Sequence, residues 1–409
     1  MLIHWIWLAT RPDLSDRQKL AVLDTFHDPE EVFYAEKASF SNVEGMTQAG
    51  AEALCDKNLT QAKEILNDCV EKGIQICTFH DGAYPARLKN IADPPLVLYY
   101  KGNLTGLDSS PVIGVVGTRK ASVYGLTTAK KMGYQIARCG GILVSGLAEG
   151  NDGSAMTGAL TAGGMVVGVL GCGVDVVYPA MHRSLYRDTE RSGCLISEFP
   201  PKTPPYKWNF PKRNRIISGL SNGVLVVEAP RGSGSLITAH QAADQGRDVF
   251  VVPGNIDVPT FHGSNALLRD GAIAVSCGWD VVSEYASLYP DRIRKENGET
   301  VFLSEQEKPL PKVAQKPETP AKKPRFDRKK EKKPVDNREK KTYSVQQDIL
   351  KSLSHEEREL LKPLQNGEAL VDDLIAASGL PAGKVLSMLT MLQIRGVVEL
   401  LPGKRVTLK

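Results

Sequence analysis

Val112–Gly117, VIGVVG, is a continuous apolar run rich in β-branched residues, with no polar alternation. Similar runs follow: ILVSG (142–146), MVVGVLG (165–171), CLISEF (194–199), GVLVVEA (223–229), DVFVVPG (248–254) and AIAVSC (272–277). Segments of helix length with helical apolar spacing separate most of them. A strand that is apolar at successive positions must be covered on both faces, and such strands belong to mostly parallel sheets. The pattern predicts an α/β domain over residues 79–292, doubly wound and Rossmann-like. Residues 80–109 read as its lead-in, with Pro94-Pro95 blocking a helix.

On the N-terminal side, residues 1–78 read as a small helical domain, SAM-like or helix–hairpin–helix-like. SFSNVEGMTQAGAEALCD (39–56) places a Val43–Thr47 turn before small and apolar residues at helical spacing. Turn amides of that kind can meet a phosphate, but Glu44 opposes an anion, and a plain packing domain has the same pattern. On the C-terminal side, residues 293–345 are rich in Pro, Lys and Glu and predict a disordered basic linker. Residues 346–409 give three helical segments and then VVELLPGKRVTLK, two strand-like runs around Pro402-Gly403. That order predicts a winged helix. Its third helix carries only Lys384 and Arg395 as cations, so a protein partner is as good a reading as DNA.

The net charge is +4, but residues 305–341 alone hold fourteen Lys/Arg and seven Asp/Glu, a net +7 that leaves −3 for the rest. An anion site in the folded part must therefore be a local patch. No stretch approaches the roughly 20 apolar residues of a membrane span. The opening MLIHWIWLATRPD is apolar but short and lacks a basic leader, so it is not read as a signal peptide. Seven cysteines without a CxxC pair fit free thiols in a reducing cytoplasm. The seven histidines are scattered, and no metal site is suggested.

In an open parallel sheet, ligands bind beyond the carboxyl ends of the strands. Four glycine-rich polar loops fall there: GTRKASVYG (117–125), SGLAEGNDGSA (145–155), APRGSGSLITA (229–239) and PGNID (253–257). NFPKRNRIISG (209–219) adds Lys212, Arg213 and Arg215 beside Phe210. Cations at a strand-to-helix junction suit phosphate. Gly117, Thr118, Arg119, Lys120, Lys212, Arg213, Asn214, Arg215, Ser233, Gly234 and Ser235 are thus the candidate anion-binding residues. Helix N-terminal amides at 117–125 and 233–236 are expected to add neutral donors. Phe210 and Trp208 are candidates for base stacking, with core packing as the alternative for each. There is no GxGxxG fingerprint and no P-loop. No acid pairs with a histidine at a catalytic spacing, and Ser145 and Ser235 lack a nucleophile elbow. Glu198 and Glu228 are expected to pair with nearby arginines, and which of Lys212, Arg213 and Arg215 they take is left open.

These loops, with GCGVDVVYPAMHRSLY (171–186), the whole of 196–229, QGRDVFVVPGNID (245–257) and GSNALLRDGA (263–272), resemble the DNA-processing protein A family, DprA or Smf. The resemblance is dense over about residues 80–290, and the helical start and winged-helix end match the family's architecture. It implies a cytoplasmic, dimeric protein that binds single-stranded DNA during natural transformation and recombination. It further implies that the protein protects incoming strands and loads the RecA recombinase, without enzymatic activity or cofactor. The family's DNA groove maps onto Arg119 and onto Arg213, Asn214 and Arg215, with Lys212 adjacent. Glu149, Asn151 and Met156 depart from the family pattern. The alternative is a phosphoribohydrolase acting on nucleoside monophosphates, of the lysine-decarboxylase-like family. Its PGGxGT loop would correspond to RGSGSLIT here, without the double glycine.

Overall fold

The computed structural model describes residues 1–295, 360–380 and, beyond these, 384–385, 388–389, 392–393, 397–401 and 405–408. Most of the predicted linker lies outside the described residues, as do Arg395 and the Pro402-Gly403 turn. The chain forms two compact units, the first including residues 1–295 and the second 360 onward.

The first unit opens with five helices: α1 (Leu2–Ala9), α2 (Asp16–Phe26), α3 (Pro29–Tyr34), α4 (Gln48–Cys55) and α5 (Thr60–Glu71). Three of the starts are fixed by a side-chain cap. Ser15 and Gln18 form a reciprocal capping box on α2, Asp28 caps α3 ahead of Pro29, and Thr47 caps α4. The apolar opening is α1, whose Trp5, Ile6, Trp7 and Leu8 are buried. They join Val97, Tyr99 and Leu195 of the sheet in one core, so the helices and sheet share an interior.

Nine strands form the sheet: β1 (Gln75–Thr78), β2 (Val97–Gly102), β3 (Val112–Val116), β4 (Ile142–Ser145), β5 (Val166–Val169), β6 (Cys194–Ser197), β7 (Gly223–Val226), β8 (Asp248–Val251) and β9 (Ile273–Ala274). Their order is β1-β2-β6-β5-β4-β3-β7-β8-β9. From β6 to β9 every pairing is parallel; β1 and β2 are antiparallel additions at one edge. All seven apolar runs are strands. The segment read as a lead-in contributes β2, and β1 precedes it.

The connecting helices are α7 (Val123–Arg138), α8 (Asn151–Thr161), α9 (Arg183–Ser192), α10 (Asn209–Leu220), α11 (Gly234–Asp244) and α12 (His262–Arg269), with short α6 (Ala86–Lys89) before β2 and α13 (Gly278–Val282) after β9. Alternate strand residues enter different cores. Ile113, Val115, Leu143 and Leu225 pack with α7 and α8, whereas Val112, Val116, Val144 and Val224 pack with α10 and α11. Two covered faces are the physical reason for the uninterrupted apolar runs. Strand order reverses between β3 and β7. The loops leaving those two strands therefore diverge to opposite faces and open a crevice between them.

The second unit holds a three-stranded antiparallel sheet, β10 (Ala369–Leu370), β12 (Arg405–Leu408) and β11 (Val398–Leu401), with α14 (Val371–Ser378). Leu361, Leu364, Leu374, Leu389, Leu392 and Val406 form its core. The two terminal strands fall where the sequence placed them.

Candidate nucleic-acid groove

The crevice at the β3–β7 switch is an open groove of about 450 Å³. Gly117–Lys120 form one wall and Pro230–Ser235 the other, with Phe210, Arg213 and Asn214 of α10 on the floor. Arg119, Lys120 and Arg231 are exposed on the walls. Asn214 ties the floor to the second wall, its Nδ2 donating to the Gly234 carbonyl at 3.4 Å.

The first wall is shaped by buried acids. Glu228 is fully buried; it accepts from the Ser122 amide and hydroxyl, both at 3.0 Å, and Ser122 Oγ accepts from the Gly125 amide at 3.0 Å. Asp152 accepts from the Gly117 amide at 3.3 Å and the Gly146 amide at 3.2 Å. The Thr118 amide donates to the Glu228 carbonyl at 2.7 Å, and the Lys120 amide to Thr118 Oγ1. Five amides of the 117–125 loop are thus paired within the protein, so its side chains and its remaining amides, among them those of Val123 and Tyr124 in the first turn of α7, are what it can offer an anion. Among the described residues Glu228 makes no ion pair with an arginine; it holds Ser122, the residue that caps α7.

Gly150 brings the neighbouring loop against this wall. Its φ is +80°, and a Cβ there would lie 2.3 Å from the Thr118 carbonyl oxygen. Asn151 is buried, donating to the Glu228 carbonyl at 3.3 Å, and Met156 is in the core. Those two departures are structural. Glu149 is exposed and lines two further cavities, of about 170 and 520 Å³, that adjoin the groove at Arg119.

On the floor, the Arg119 and Arg213 guanidiniums sit 5.2 and 5.8 Å from the centre of the Phe210 ring. Arg213 is only 4% exposed and donates to the carbonyls of Gly146, at 2.9 Å, and Val169. Burial pulls its pKa down while Asp152 opposes, and burial pushes Asp152 up while Arg213 opposes. Arg213, whose Nε also donates to Asn214 Oδ1 at 3.2 Å, is thus a buried cation held mainly by neutral acceptors, with Arg119 as its outward neighbour. On the second wall Ser233 caps α11, its Oγ 2.7 Å from that of Ser235.

The structure separates the other two cations from the groove. Arg215 is 3% exposed and pairs with Glu198 at 2.6 Å, Asp93 at 3.2 Å and Asp16 at 3.4 Å. Lys212 pairs with Asp16 at 2.9 Å and Glu198 at 3.4 Å. Both face the N-terminal helices, and helical geometry is the reason. Residues 213 and 215 point about 200° apart around α10. Trp208 is not on the groove floor either: it is 70% exposed and stacks on Tyr206. Arg231 is the groove cation that sequence reasoning passed over, although it sits in the quoted APRGSGS loop between Pro230 and Gly232.

Among the described residues there is no His/Cys/Asp/Glu group able to hold a metal, and no helix is long and apolar enough to cross a membrane. All seven cysteines are free thiols, five of them buried.

Residues 75–286 match the family model described as DNA recombination-mediator protein A, and residues 346–404 match the DprA winged helix domain. The chain is 44% identical to DNA processing protein DprA of Bacillus subtilis over 214 residues, 52% of this chain and 72% of that protein. It is 30% identical to Protein Smf of Synechocystis sp. over 386 residues, 92% and 91% of the two chains. The X-ray structure of DNA processing protein A from Streptococcus pneumoniae superposes with a TM-score of 0.62 at 32% identity, covering 69% of this chain and 98% of that one.

Proposed function

The chain belongs to the DprA/Smf family of DNA-processing proteins, and from that premise we propose that it is a single-stranded-DNA-binding protein that works by holding a strand rather than by turnover. The observation that carries the reading is the groove at the β3–β7 switch, where exposed Arg119, Lys120 and Arg231 flank a floor made of Phe210, Arg213 and Asn214. Arginine and lysine side chains neutralise successive phosphates, and neutral donors such as Asn214, Ser233 and Ser235 add contacts that carry no sequence preference. The Phe210 ring is half-buried among the two guanidiniums and Tyr178, whose ring centre lies 5.6 Å away. A groove bounded by two loops at a sheet edge admits one flexible backbone more readily than a duplex.

The finer part of the proposal concerns the pathway. A protein that coats an incoming strand in the cytoplasm during natural transformation, protects it and hands it to RecA as a homodimer needs sequence-independent, salt-sensitive binding and no cofactor. A groove of this composition supplies such binding.

Fluorescence anisotropy with an oligothymidylate tests the reading. Arg119→Ala is expected to weaken binding for every sequence and to reduce the log–log salt slope by about 0.7, the loss of one phosphate contact. Arg231→Ala is expected to behave alike. Unchanged titrations for both would remove the groove from consideration.

A further inference from the structure

Tyr206 and Trp208 form an exposed aromatic pair at the start of α10. Their rings stack with centroids 4.7 Å apart and an interplanar angle of 10°, and they are 45% and 70% exposed. Two large rings turned to water in this way leave the outer face of Trp208 uncovered.

The loop that displays them is held firmly. It contains Pro200, Pro201, Pro204 and Pro205. The Lys202 amide donates to Asp175 at 2.9 Å, the Gly173 amide to the Thr203 carbonyl at 3.0 Å, and Thr203 Oγ1 to the Pro200 carbonyl at 2.6 Å. Beyond the pair, the Asn209 amide donates to the Tyr206 carbonyl at 3.0 Å, and Asn209 Nδ2 to the Gly171 carbonyl at 3.0 Å. Fixed φ at four prolines and anchors on both sides leave the rings little freedom to lose when a third ring adds to the stack.

Position says what that third ring is. Trp208 is two residues before Phe210, with Cα atoms within about 7.6 Å, and the pair stands beside the groove, outside the residues that line it, where the chain passes from the carboxyl end of β6 into α10. Lys207, between the two rings, is exposed and adds positive charge at the same rim. A strand whose phosphates follow the groove would bring its next base to this rim. Every nucleobase has a flat face that stacks on an aromatic ring whatever its sequence.

The geometry points to the Tyr206–Trp208 pair as a base-stacking platform that receives a nucleobase of single-stranded nucleic acid leaving the groove. This inference rests on the groove reading and adds a base contact to its phosphate contacts.

The test uses the full-length protein, an oligothymidylate, and an oligomer of abasic deoxyribose phosphates of the same length. Trp208→Ala is expected to lose about tenfold in affinity for the thymidylate and nothing for the abasic strand, while Trp208→Phe retains most of the affinity. Binding of thymidylate is expected to quench tryptophan emission in the native protein and not in Trp208→Phe, because Trp5 and Trp7 are buried and Trp279 is half-buried against the core, after β9 and away from the groove lining. Equal losses on both strands would mark a structural role and overturn the platform. So would an unchanged Trp208→Ala titration, which would leave the pair to a protein partner. If Trp208→Ala is unchanged while Arg119→Ala weakens binding, the platform alone falls. If Arg119→Ala and Arg231→Ala are without effect, the groove reading falls whatever Trp208 does.

Discussion

Arg213 and Arg215 are neighbours in sequence with opposite duties. Arg213 closes the groove floor by serving the carbonyls of Val169, at the end of β5, and of Gly146, just after β4. Arg215 is the centre of an ion cluster in which Glu198, whose side chain is 7% exposed, is its nearest partner. Breaking such a pair leaves an uncompensated buried charge. Arg215→Ala is therefore expected to cost about 3 kcal/mol of stability, read as a lower urea midpoint with unchanged m, and to leave the DNA salt slope as it was. Arg119→Ala is expected to do the reverse, shifting the salt slope while its melting stays native. The contrast separates a groove cation from a seam cation in one pair of variants. Sequence made the three cations of NFPKRNR legible as a cluster and Glu198 as a partner for one of them. It could not divide them, because that division depends on the rotation of α10 against Asp16, which is about 200 residues away in the chain.

At the scale of elements, the groove walls depend on how closely α7 and α8 approach. Gly133 and Gly158 form the crossing. A Cβ on Gly133 would lie 2.0 Å from the Ala155 carbonyl oxygen, and one on Gly158 2.0 Å from that of Lys130. Backbone carbonyls cannot yield as side chains do, so an added methyl must push the helices apart. Gly158→Ala is expected to destabilise the protein by about 1–3 kcal/mol despite alanine's better helix propensity, checked by thermal melting followed by circular dichroism. It is also expected to weaken DNA binding, since α8 carries the Asp152 that ties Gly117 and Gly146 together. The strands were readable because burial on two faces writes itself as unbroken apolar runs. β1 and β2 were not, because antiparallel strands with polar positions that are exposed or half-buried, such as Gln75 and Lys101, lack that signature. The paired amides of 117–125 were equally hidden: Glu228 reaches them from β7, and nothing local to the loop announces it.

For the first unit as a whole, the helical N-terminal region is joined to the sheet by a shared apolar core and by two ionic seams. One is the Asp16–Lys212–Arg215–Glu198 cluster; the other pairs Lys72 with Asp175 and, at 2.6 Å, Lys202 with Asp68. The seams respond differently to acid. At the first, burial raises Glu198 and Asp93, with Arg215 opposing in both. Asp16 is held low: burial would raise it, but Lys212 and then Arg215 and Lys19 prevail. Shifts of opposite sign offset one another there. At the second, burial again works upward, but hydrogen bonds from Lys72 and the Lys202 amide hold Asp175 below its ordinary value. A carboxyl with a depressed folded pKa contributes stability above its unfolded pKa and loses that contribution as pH falls through the folded one. Asp175→Asn is therefore expected to lower stability at pH 7 by about 1 kcal/mol, since Lys72 is partly exposed and the pair is screened, or roughly 2 °C in Tm. The gap between native protein and variant should persist down to about pH 4 and close below it, as the native carboxyl takes up its proton. Thermal melts of both proteins across that range decide the matter. A gap that stays constant into acid would mean that Asp175 holds the seam through packing and neutral hydrogen bonds, and that charge is not what fastens the N-terminal helices there.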